Sequence, residues 1–236
     1  MIKFLEWDSN FFGYKVAKID LINRLEDIEK EIEWAKDQDI KLIYLFLDSD
    51  LPGALSYLST NNFEVIDEKI IFSKSIVKEI PSSDLDYHFV TEVNFKKRKE
   101  GFYELAYISG EHSRFKNDPL IPEKKFREMY RMWVKNSVIK NDSELINISD
   151  KGKLVGMITV DAKEDHSSIG LLAVKGTARG RGIGRILIGL AEQFSRQKDL
   201  SELRVATQKL NTNACKFYEQ MNFKVFQGKL ISHIWL

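Results

Sequence analysis

The chain has 236 residues, 43% of them hydrophobic, and a formal net charge of +1 at pH 7. This length allows one large domain or two small ones, and the near-zero charge gives no general reason to expect nucleic acid or an anionic membrane as a partner. The single cysteine, Cys215, excludes an internal disulfide. No stretch is apolar enough for a signal peptide or for the ~20 residues of a spanning helix, so we expect a cytoplasmic protein without membrane insertion.

The first part of the chain alternates strand-like and helix-like segments. Its hydrophobic periodicity predicts, in chain order, a strand at Val16–Asp20, a helix at Leu25–Lys36, a strand at Lys41–Leu47, a helix at Ala54–Thr60 and a strand at Phe63–Phe72. The run Pro81-Ser82-Ser83-Asp84 predicts the end of this part. We therefore divide the chain into an N-terminal unit, residues 1–80, and a second unit, residues 85–236.

Strands and helices alternate through the second part as well. The predicted elements are a strand at Tyr87–Val93, a helix at Lys124–Val138, strands at Glu144–Ile148, Leu154–Asp161, Ile169–Val174 and Leu203–Thr207, and one or two strands within Phe223–Leu236.

A glycine-rich turn joins the strand that ends at Val174 to a helix. The turn is Arg179-Gly180-Arg181-Gly182-Ile183-Gly184-Arg185, and in the helix Leu187, Leu190, Ala191 and Phe194 share one face with Ile183. Glycines at the mouth of a helix let a ligand approach the backbone, and the free N–H groups there attract a diphosphate. A Walker loop needs Lys-Ser or Lys-Thr after its last glycine, and a dinucleotide fingerprint needs wider glycine spacing, so neither fits.

A second motif follows the strand at Leu203–Thr207. It consists of Asn211, Ala214, Tyr218, Asn222 and Phe223, spaced as N-x-x-A-x-x-x-Y-x-x-x-N-F. Asn211 can cap a helix, and Asn222 tolerates the left-handed backbone that ends one. Together the two motifs resemble those of the GNAT acetyltransferases, which usually have glycine in place of Asn222.

This resemblance implies an α/β (α+β) fold with a mixed central sheet, helices on both faces and a partial GNAT-like domain before it. It implies acetyl-CoA as co-substrate, no metal, and Tyr218 as the proton donor to the departing thiolate. The residues that it assigns to coenzyme A are Leu172, Ala173 and Val174, which pair with the pantetheine arm, and Arg179, Gly180, Arg181, Gly182, Ile183, Gly184, Arg185 and Asn211.

Further segments resemble the TDP-fucosamine acetyltransferases, which acetylate the 4-amino group of dTDP-4-amino-4,6-dideoxygalactose. These segments are Trp7-Asp8-Ser9-x-Phe11-Phe12-Gly13, His112-Ser113-Arg114-Phe115 with Asp118, Tyr130-x-x-Trp133-x-x-Asn136 and Leu203–Gln208. The resemblance implies a nucleotide-linked amino sugar as the partner molecule, and it leaves a homodimer open.

Three residues are candidates for binding this acceptor. Arg114 suits a diphosphate because its guanidinium pairs with two oxygens at once, and the alternative is a surface arginine. Trp7 and Phe11 can stack on a base or form a wall of the pocket, and the alternative is that they belong to the core.

The acceptor amine also needs a proton acceptor, because an amino sugar is mostly protonated at neutral pH. Asp67 and Glu68 are the candidates, acting through an ordered water, and the alternative is a pair of solvated charges at a strand end. The four histidines show no paired ligand spacing, so we expect no metal site. Cys215 has no assigned base, which favours a packing role over a nucleophilic one.

A weak internal repeat links the two parts of the chain. Ala54, Asn62-Phe63 and Lys69 recur with identical spacing as Ala214, Asn222-Phe223 and Lys229. The repeat predicts that the N-terminal part is a partial copy of the catalytic fold that lacks the glycine loop. The alternative is two helix–strand units that share a common pattern.

Two other functions remain open at this point. One is acetylation of an amine on a protein, a peptide or a polyamine. The other is a coenzyme A-binding regulatory module without catalysis.

Overall fold

The computed structural model describes residues 2–20, 24–76 and 86–236, which form ten strands and eight α-helices. The strands are β1 Ile2–Phe4, β2 Val16–Ile19, β3 Leu42–Asp48, β4 Asp67–Ser75, β5 Asp86–Phe89, β6 Ser143–Asp150, β7 Lys153–Ala162, β8 Ser167–Val174, β9 Glu202–Gln208 and β10 Lys224–Trp235. The helices are α1 Glu6–Phe12, α2 Asp27–Asp37, α3 Ala54–Thr60, α4 Glu92–Ser109, α5 Arg114–Asn117, α6 Glu123–Ile139, α7 Ile183–Gln197 and α8 Thr212–Gln220, and a 3₁₀ turn covers Gly176–Ala178.

The described strands join into one mixed sheet in the order β1-β2-β3-β10-β4-β9-β8-β7-β6-β5. The pairs β2–β3 and β8–β9 are parallel, and the other neighbours are antiparallel. Helices α1, α4, α5 and α6 pack against one face, and α2, α3, α7 and α8 pack against the other. The expected mixed sheet with helices on both faces is therefore confirmed.

Two predicted strands begin or end four residues away from their limits in the structure, and the structure decides the number of strands at the C-terminus. The strand predicted at Phe63–Phe72 begins only at Asp67, because the Phe63 N–H still bonds to the Leu58 carbonyl and closes α3. The strand predicted at Tyr87–Val93 ends at Phe89, since the Thr91 side chain accepts from the Asn94 N–H and starts α4. The C-terminal segment is one strand, β10, with a bulge between Val225 and Gln227. The predicted boundary at residues 81–84 lies outside the described residues.

The central strands have matching registers in the two parts of the chain. Lys69 of β4 lies directly opposite Lys229 of β10. On its other side Lys69 lies opposite Gln208 of β9, just as Lys229 lies opposite Asp48 of β3. Residues that correspond in the sequence repeat thus occupy corresponding positions about a local twofold axis. The division into two units stays a prediction, and these registers support it.

The last strand of each part pairs with the other part. Strand β4 lies between β10 and β9, and β10 lies between β3 and β4. Seven residue pairs join β4 to β9, so the N-terminal part completes the sheet of the second part. Neither part has a complete set of strand partners without the other.

This exchange predicts that residues 86–236 do not fold alone. Without β4, strand β9 loses a neighbour, and β10 loses both of its neighbours, which leaves long unpaired edges. A chain of residues 86–236 should show no cooperative urea transition by circular dichroism, and co-expression with residues 1–80 should restore one. A cooperative transition of residues 86–236 alone would contradict the prediction.

Candidate active site

Strands β8 and β9 pair over only a short stretch and then separate. Their parallel pairing ends at Ile169 and Val205, although β8 continues to Val174 and β9 to Gln208. At this point β8 bulges against β7, and the Thr159 hydroxyl accepts a hydrogen bond from the Leu171 N–H at 2.8 Å. We call the opening between 170–174 and 206–208 the strand gap.

The bulge depends on a glycine. A Cβ atom at Gly170 would lie 2.8 Å from the Thr159 hydroxyl oxygen, closer than real Cβ contacts. Only glycine lets Thr159 take the place of a main-chain partner for Leu171. The bulge therefore bends β8 away from β9 and opens the strand gap.

Alternate peptide groups of β8 face the strand gap. The Lys175 N–H donates to the Val155 carbonyl at 2.8 Å, so in this antiparallel ladder Ala173 is bonded to Met157 of β7. The peptide groups of Leu172 and Val174 consequently point the other way, into the gap. Of the three predicted cofactor residues on β8, Leu172 and Val174 have backbone groups available there, whereas the side chain of Ala173 lines the cavity described below.

The glycine loop ends in the first turn of α7. Gly180 and Gly182 both have φ +77°, and Gly182 is the residue that begins the helix. The first three N–H groups of α7, from Ile183 to Arg185, have no acceptor within the helix. They face outward at the positive end of the helix dipole, which suits a diphosphate.

The other loop residues have structural partners. Arg181 forms an ion pair with Asp150 at 2.8 Å, and the Arg179 Nε donates to the Val174 carbonyl at 3.3 Å. Gly184 is needed for packing, since a Cβ atom there would lie 3.0 Å from the Phe217 ring. Arg185 is exposed. The loop is thus held open by contacts with β6, β8 and α8.

Helix α8 places the second motif beside the strand gap. The Asn211 side chain caps the helix by accepting from the Ala214 N–H at 3.2 Å, as expected. Asn222 has φ +64° after the last turn, which confirms that it replaces glycine there. The Tyr218 ring is buried against Phe72 of β4 and Phe223, and burial raises the pKa of Tyr218.

One cavity of about 770 Å³ connects these elements. Its cofactor end is lined by the strand gap, the glycine loop, Asn211 and Tyr218. Its other end, which we call the acceptor end, lies between β4 and the helices α5 and α6. The residues that line the acceptor end include Phe46, Asp67, Lys69, Glu111, His112, Arg114, Phe115, Tyr130 and Trp133.

Asp67 and Glu68 point to opposite faces of β4. Asp67 is only 6% exposed and lines the cavity, and burial raises its pKa to about 6 against the pull of Arg114 and Lys69. Glu68 instead forms an ion pair with Lys209 at 2.5 Å. The structure therefore brings Asp67 into the site and leaves Glu68 outside it, as the alternation of a strand requires.

Arg114 lies flat on aromatic rings at the acceptor end. Its guanidinium carbon is 4.3 Å from the centre of the Tyr44 ring and 4.4 Å from that of Phe115. Burial lowers its pKa, although the charges of Asp8 and Asp67 oppose this. Among the described residues it has no ion-pair partner within 4.0 Å. Arg114 is thus a desolvated cation in the cavity wall.

Trp7 and Phe11 do not line the cavity. They stack on each other at 5.3 Å on α1, and Trp7 is 39% exposed. The Lys125 ammonium donates to the Phe11 carbonyl at 2.6 Å. Their neighbour Phe12 is the aromatic residue of this segment that enters the core. The structure therefore does not bring the two predicted acceptor residues to the site.

Sequence reasoning did not name Lys69 as a site residue, and it named Tyr130 and Asp118 only as parts of the motifs that carry the family resemblance. Lys69 follows Asp67 by two positions in a predicted strand, so period-two alternation would have placed the two side chains together. Tyr130 needs Gly110, where a Cβ atom would lie 2.3 Å from its ring. Asp118 accepts from Nδ1 of the buried, neutral His233 at 2.6 Å, and so ties the segment after α5 to β10.

Neither a cluster of metal ligands nor a membrane-spanning helix occurs among the described residues. They contain no group of three or more His, Cys, Asp or Glu side chains placed to hold a metal ion. None of the helices in the described ranges combines the length and apolar character needed to cross a membrane.

Comparison with known proteins agrees with the geometry. The model of the acetyltransferase (GNAT) family matches residues 105–223. A GCN5-related N-acetyltransferase from Sphaerobacter thermophilus superposes with a TM-score of 0.69 at 12% identity, over 99% of this chain and 76% of that one. A tandem GNAT protein from the clavulanic acid biosynthesis pathway gives a TM-score of 0.60 at 13% identity, over 94% of this chain and 76% of that one.

A curated relative is similar in sequence. The spore coat polysaccharide biosynthesis protein SpsD of Bacillus subtilis (strain 168) is 31% identical over 139 residues, which are 58% of this chain and 47% of that protein. The chain spans about half the length of the curated relatives it matches. The fold is that of the GNAT acetyltransferases. The chain belongs to the acetyltransferase (GNAT) family, whose co-substrate is acetyl-CoA.

The glycine loop leads to a prediction about cofactor affinity. In Gly182→Val the side chain would obstruct the open N–H groups of α7, so acetyl-CoA should bind about 10-fold or more weakly by isothermal titration calorimetry. Gly13→Val is a matched control, because Gly13 also has a positive φ and open space around it but lies far from the loop in sequence, at the end of α1. Equal affinities of the folded Gly182→Val variant and the wild type would contradict the assignment.

Proposed function

We propose that this protein transfers an acetyl group from acetyl-CoA to the amine of a nucleotide-linked amino sugar. The observation that carries the proposal is the single cavity that joins the strand gap and the glycine loop to Asp67 and Arg114. A thioester bound at one end and an amine bound at the other would meet inside it. Direct attack in a ternary complex then needs only proximity and two proton movements.

The cofactor end of the cavity fits coenzyme A. The peptide groups of Leu172 and Val174 can pair with the extended pantetheine arm, and the N–H groups that begin α7 can receive the diphosphate. Acetyl-CoA would supply the activated acetyl group. The Val174 N–H faces the same gap, where it can donate to the carbonyl oxygen on which charge develops.

Asp67 is our choice for the proton acceptor. A carboxyl with a pKa of about 6 is mostly ionised at pH 7, and it is a stronger base than an ordinary aspartate. It can take the proton of the acceptor ammonium directly or through a water. Glu68, paired with Lys209, has no such role in the proposal.

Tyr218 is our choice for the donor to the departing sulfur. Its raised pKa keeps the hydroxyl protonated, but complete transfer to a thiolate of ordinary pKa ~8.5 is then unfavourable. Tyr218 therefore acts chiefly as a hydrogen-bond donor that stabilises the developing thiolate. This modifies the role of full proton donor that the family resemblance implies.

The charges at the acceptor end and one sequence relative support this class of acceptor. Arg114 and Lys69 are partly buried cations without an ion-pair partner among the described residues, and the carboxylates that line the same cavity are the buried Asp67 and the exposed Glu111. The two partly buried cations favour an anionic acceptor over a polyamine or a lysine side chain. The name of the Bacillus subtilis relative places that protein in polysaccharide biosynthesis. A regulatory module would not need an ionisable carboxyl and a tyrosine in one cavity.

A screen of dTDP- and UDP-linked amino sugars by thiol release tests the proposal, and acetylation of peptides or polyamines alone would contradict it.

The Tyr218→Phe variant tests the donor. It keeps the ring and its contacts with Phe72, so both ligands should bind normally, while the single-turnover rate should fall ~10²–10⁴-fold. The loss should be smaller with an acyl donor whose thiol has a lower pKa. A single-turnover rate equal to that of the wild type across the pH range would make Tyr218 a packing residue.

The Asp67→Asn variant tests the base through the pH profile of kcat/KM. In the wild type the activity should fall below about pH 6, where Asp67 becomes protonated. The acceptor amine titrates as well, so the variant should keep the pH dependence that comes from the amine and lose the part that comes from Asp67. A variant with the same profile and rate as the wild type would exclude Asp67 as the base.

The same variant should be more stable than the wild type. Because burial raises the pKa of Asp67 from 3.8 to about 6, the ionised carboxylate destabilises the fold above about pH 6, and this cost is absent below pH 3.8. Asp67→Asn should raise the free energy of unfolding by up to about 3 kcal/mol near neutral pH. This gain in stability should vanish near pH 3.8. A loss of stability in urea unfolding at neutral pH would contradict this.

A further inference from the structure

Lys69 has a structural counterpart, Lys229, and the ion pair of Lys229 indicates which kind of group Lys69 should bind. Lys229 lies directly opposite Lys69 on the next strand. Each lysine faces a residue on its outer neighbour: Lys229 faces Asp48, and Lys69 faces Gln208. One sheet therefore presents the same side chain twice, in the same register, with a carboxylate opposite one copy and a neutral amide opposite the other.

The two lysines differ in how their charge is compensated. The Lys229 ammonium lies 2.7 Å from the Asp48 carboxylate, so its charge is neutralised within the protein. Lys69 makes no ion pair with a described residue, and it lines the acceptor end of the cavity. Asp67 is two residues away on the same face, about 7 Å along the strand, and is not within ion-pair distance.

An uncompensated, partly desolvated cation is costly, so its retention indicates a ligand of opposite charge. Burial and the nearby charge of Arg114 lower the pKa of Lys69. The negative charge of a phosphate group beside Lys69 would oppose this lowering of its pKa. Arg114, the second cation at the acceptor end, also lacks an ion-pair partner among the described residues. Two cations without ion-pair partners beside the buried Asp67 match an acceptor with an anionic group next to its amine.

We infer that Lys69, together with Arg114, binds a phosphate group of the acceptor at the acceptor end, in the place that Asp48 occupies for Lys229. The inference rests on the proposed acetyl transfer in the same cavity. It makes Lys69 a specificity residue: it selects acceptors that carry a phosphate, while Asp67 serves the amine. The phosphate can belong to a nucleoside diphosphate or to a sugar phosphate.

The test measures binding of a nucleoside diphosphate, without any acetyl transfer. UDP and dTDP are titrated into the wild type and three variants by calorimetry, beside inorganic pyrophosphate and a hexose 1-phosphate. Lys69→Met should weaken binding about 10- to 100-fold, the usual loss for a hydrogen bond to a charged group. Gln208→Asp should weaken it similarly, because it gives Lys69 the internal partner that Lys229 already has.

Lys229→Met is the matched control, and it should leave the affinity for the diphosphate unchanged. If this variant proves unstable, the pair Lys229→Met with Asp48→Asn removes both charges together. Acetyl-CoA affinity should be unchanged in Lys69→Met and Lys229→Met, which shows that the cofactor end is intact. The ligand that loses most affinity in Lys69→Met identifies the source of the phosphate.

Two outcomes would overturn the inference. One is wild-type affinity of Lys69→Met for every phosphate ligand, and the other is an equal loss in Lys229→Met. Failure of the proposed function looks different: Lys69-dependent diphosphate binding would persist without acetylation of any amino sugar. In the converse case, the wild type and Lys69→Met would acetylate a neutral amino sugar equally well, and neither would bind a phosphate ligand. That result would keep the acetyl transfer and remove the phosphate site.

Discussion

The pairing of β4 with β9 is the interaction on which the candidate site depends. It brings a strand from the N-terminal part into the middle of the sheet, next to the strand gap. One face of β4 carries Asp67 and Lys69 into the cavity, and the other carries Phe72 to the ring of Tyr218. Because side chains alternate along a strand, a slip of one residue would replace Asp67 by Glu68 in the cavity. The register of this one pair therefore sets the chemistry of the acceptor end.

The two ends of the cavity are lined by different kinds of chemical groups. The cofactor end consists mainly of main-chain groups, which the bulge at Gly170 and the glycines of the loop leave unpaired. The acceptor end combines the buried carboxyl of Asp67 and the partly buried cations of Lys69 and Arg114 with aromatic rings. Asp67 stays ionisable there because Arg114 and Lys69 offset part of its desolvation. An acceptor that brings both an amine and an anionic group would complete the charge balance of this end.

The pseudo-twofold registers suggest why the N-terminal part is retained without a glycine loop. Its strand β4 completes the sheet of the second part, and its strand β3 supplies Tyr44, on which Arg114 rests. Where the corresponding positions differ, the difference concerns charge: Asp48 neutralises Lys229, and Gln208 leaves Lys69 free. On this view one copy of the motif became structural, and the other kept an open cation for the acceptor.

The sequence by itself determined the parts of the protein that depend on local spacing. Glycines before an amphipathic helix and a capping Asn211 act within a few residues of the chain, so the cofactor loop, α7, α8 and the family were predictable from their patterns. Only the tertiary structure decided which charges meet. The exchange of β4 and β10, the separation of Asp67 from Glu68 and the position of Arg114 arise from strand register and helix packing between residues far apart in the chain. The stacked pair of Trp7 and Phe11 shows the same limit, because an aromatic motif does not reveal whether its helix faces a pocket.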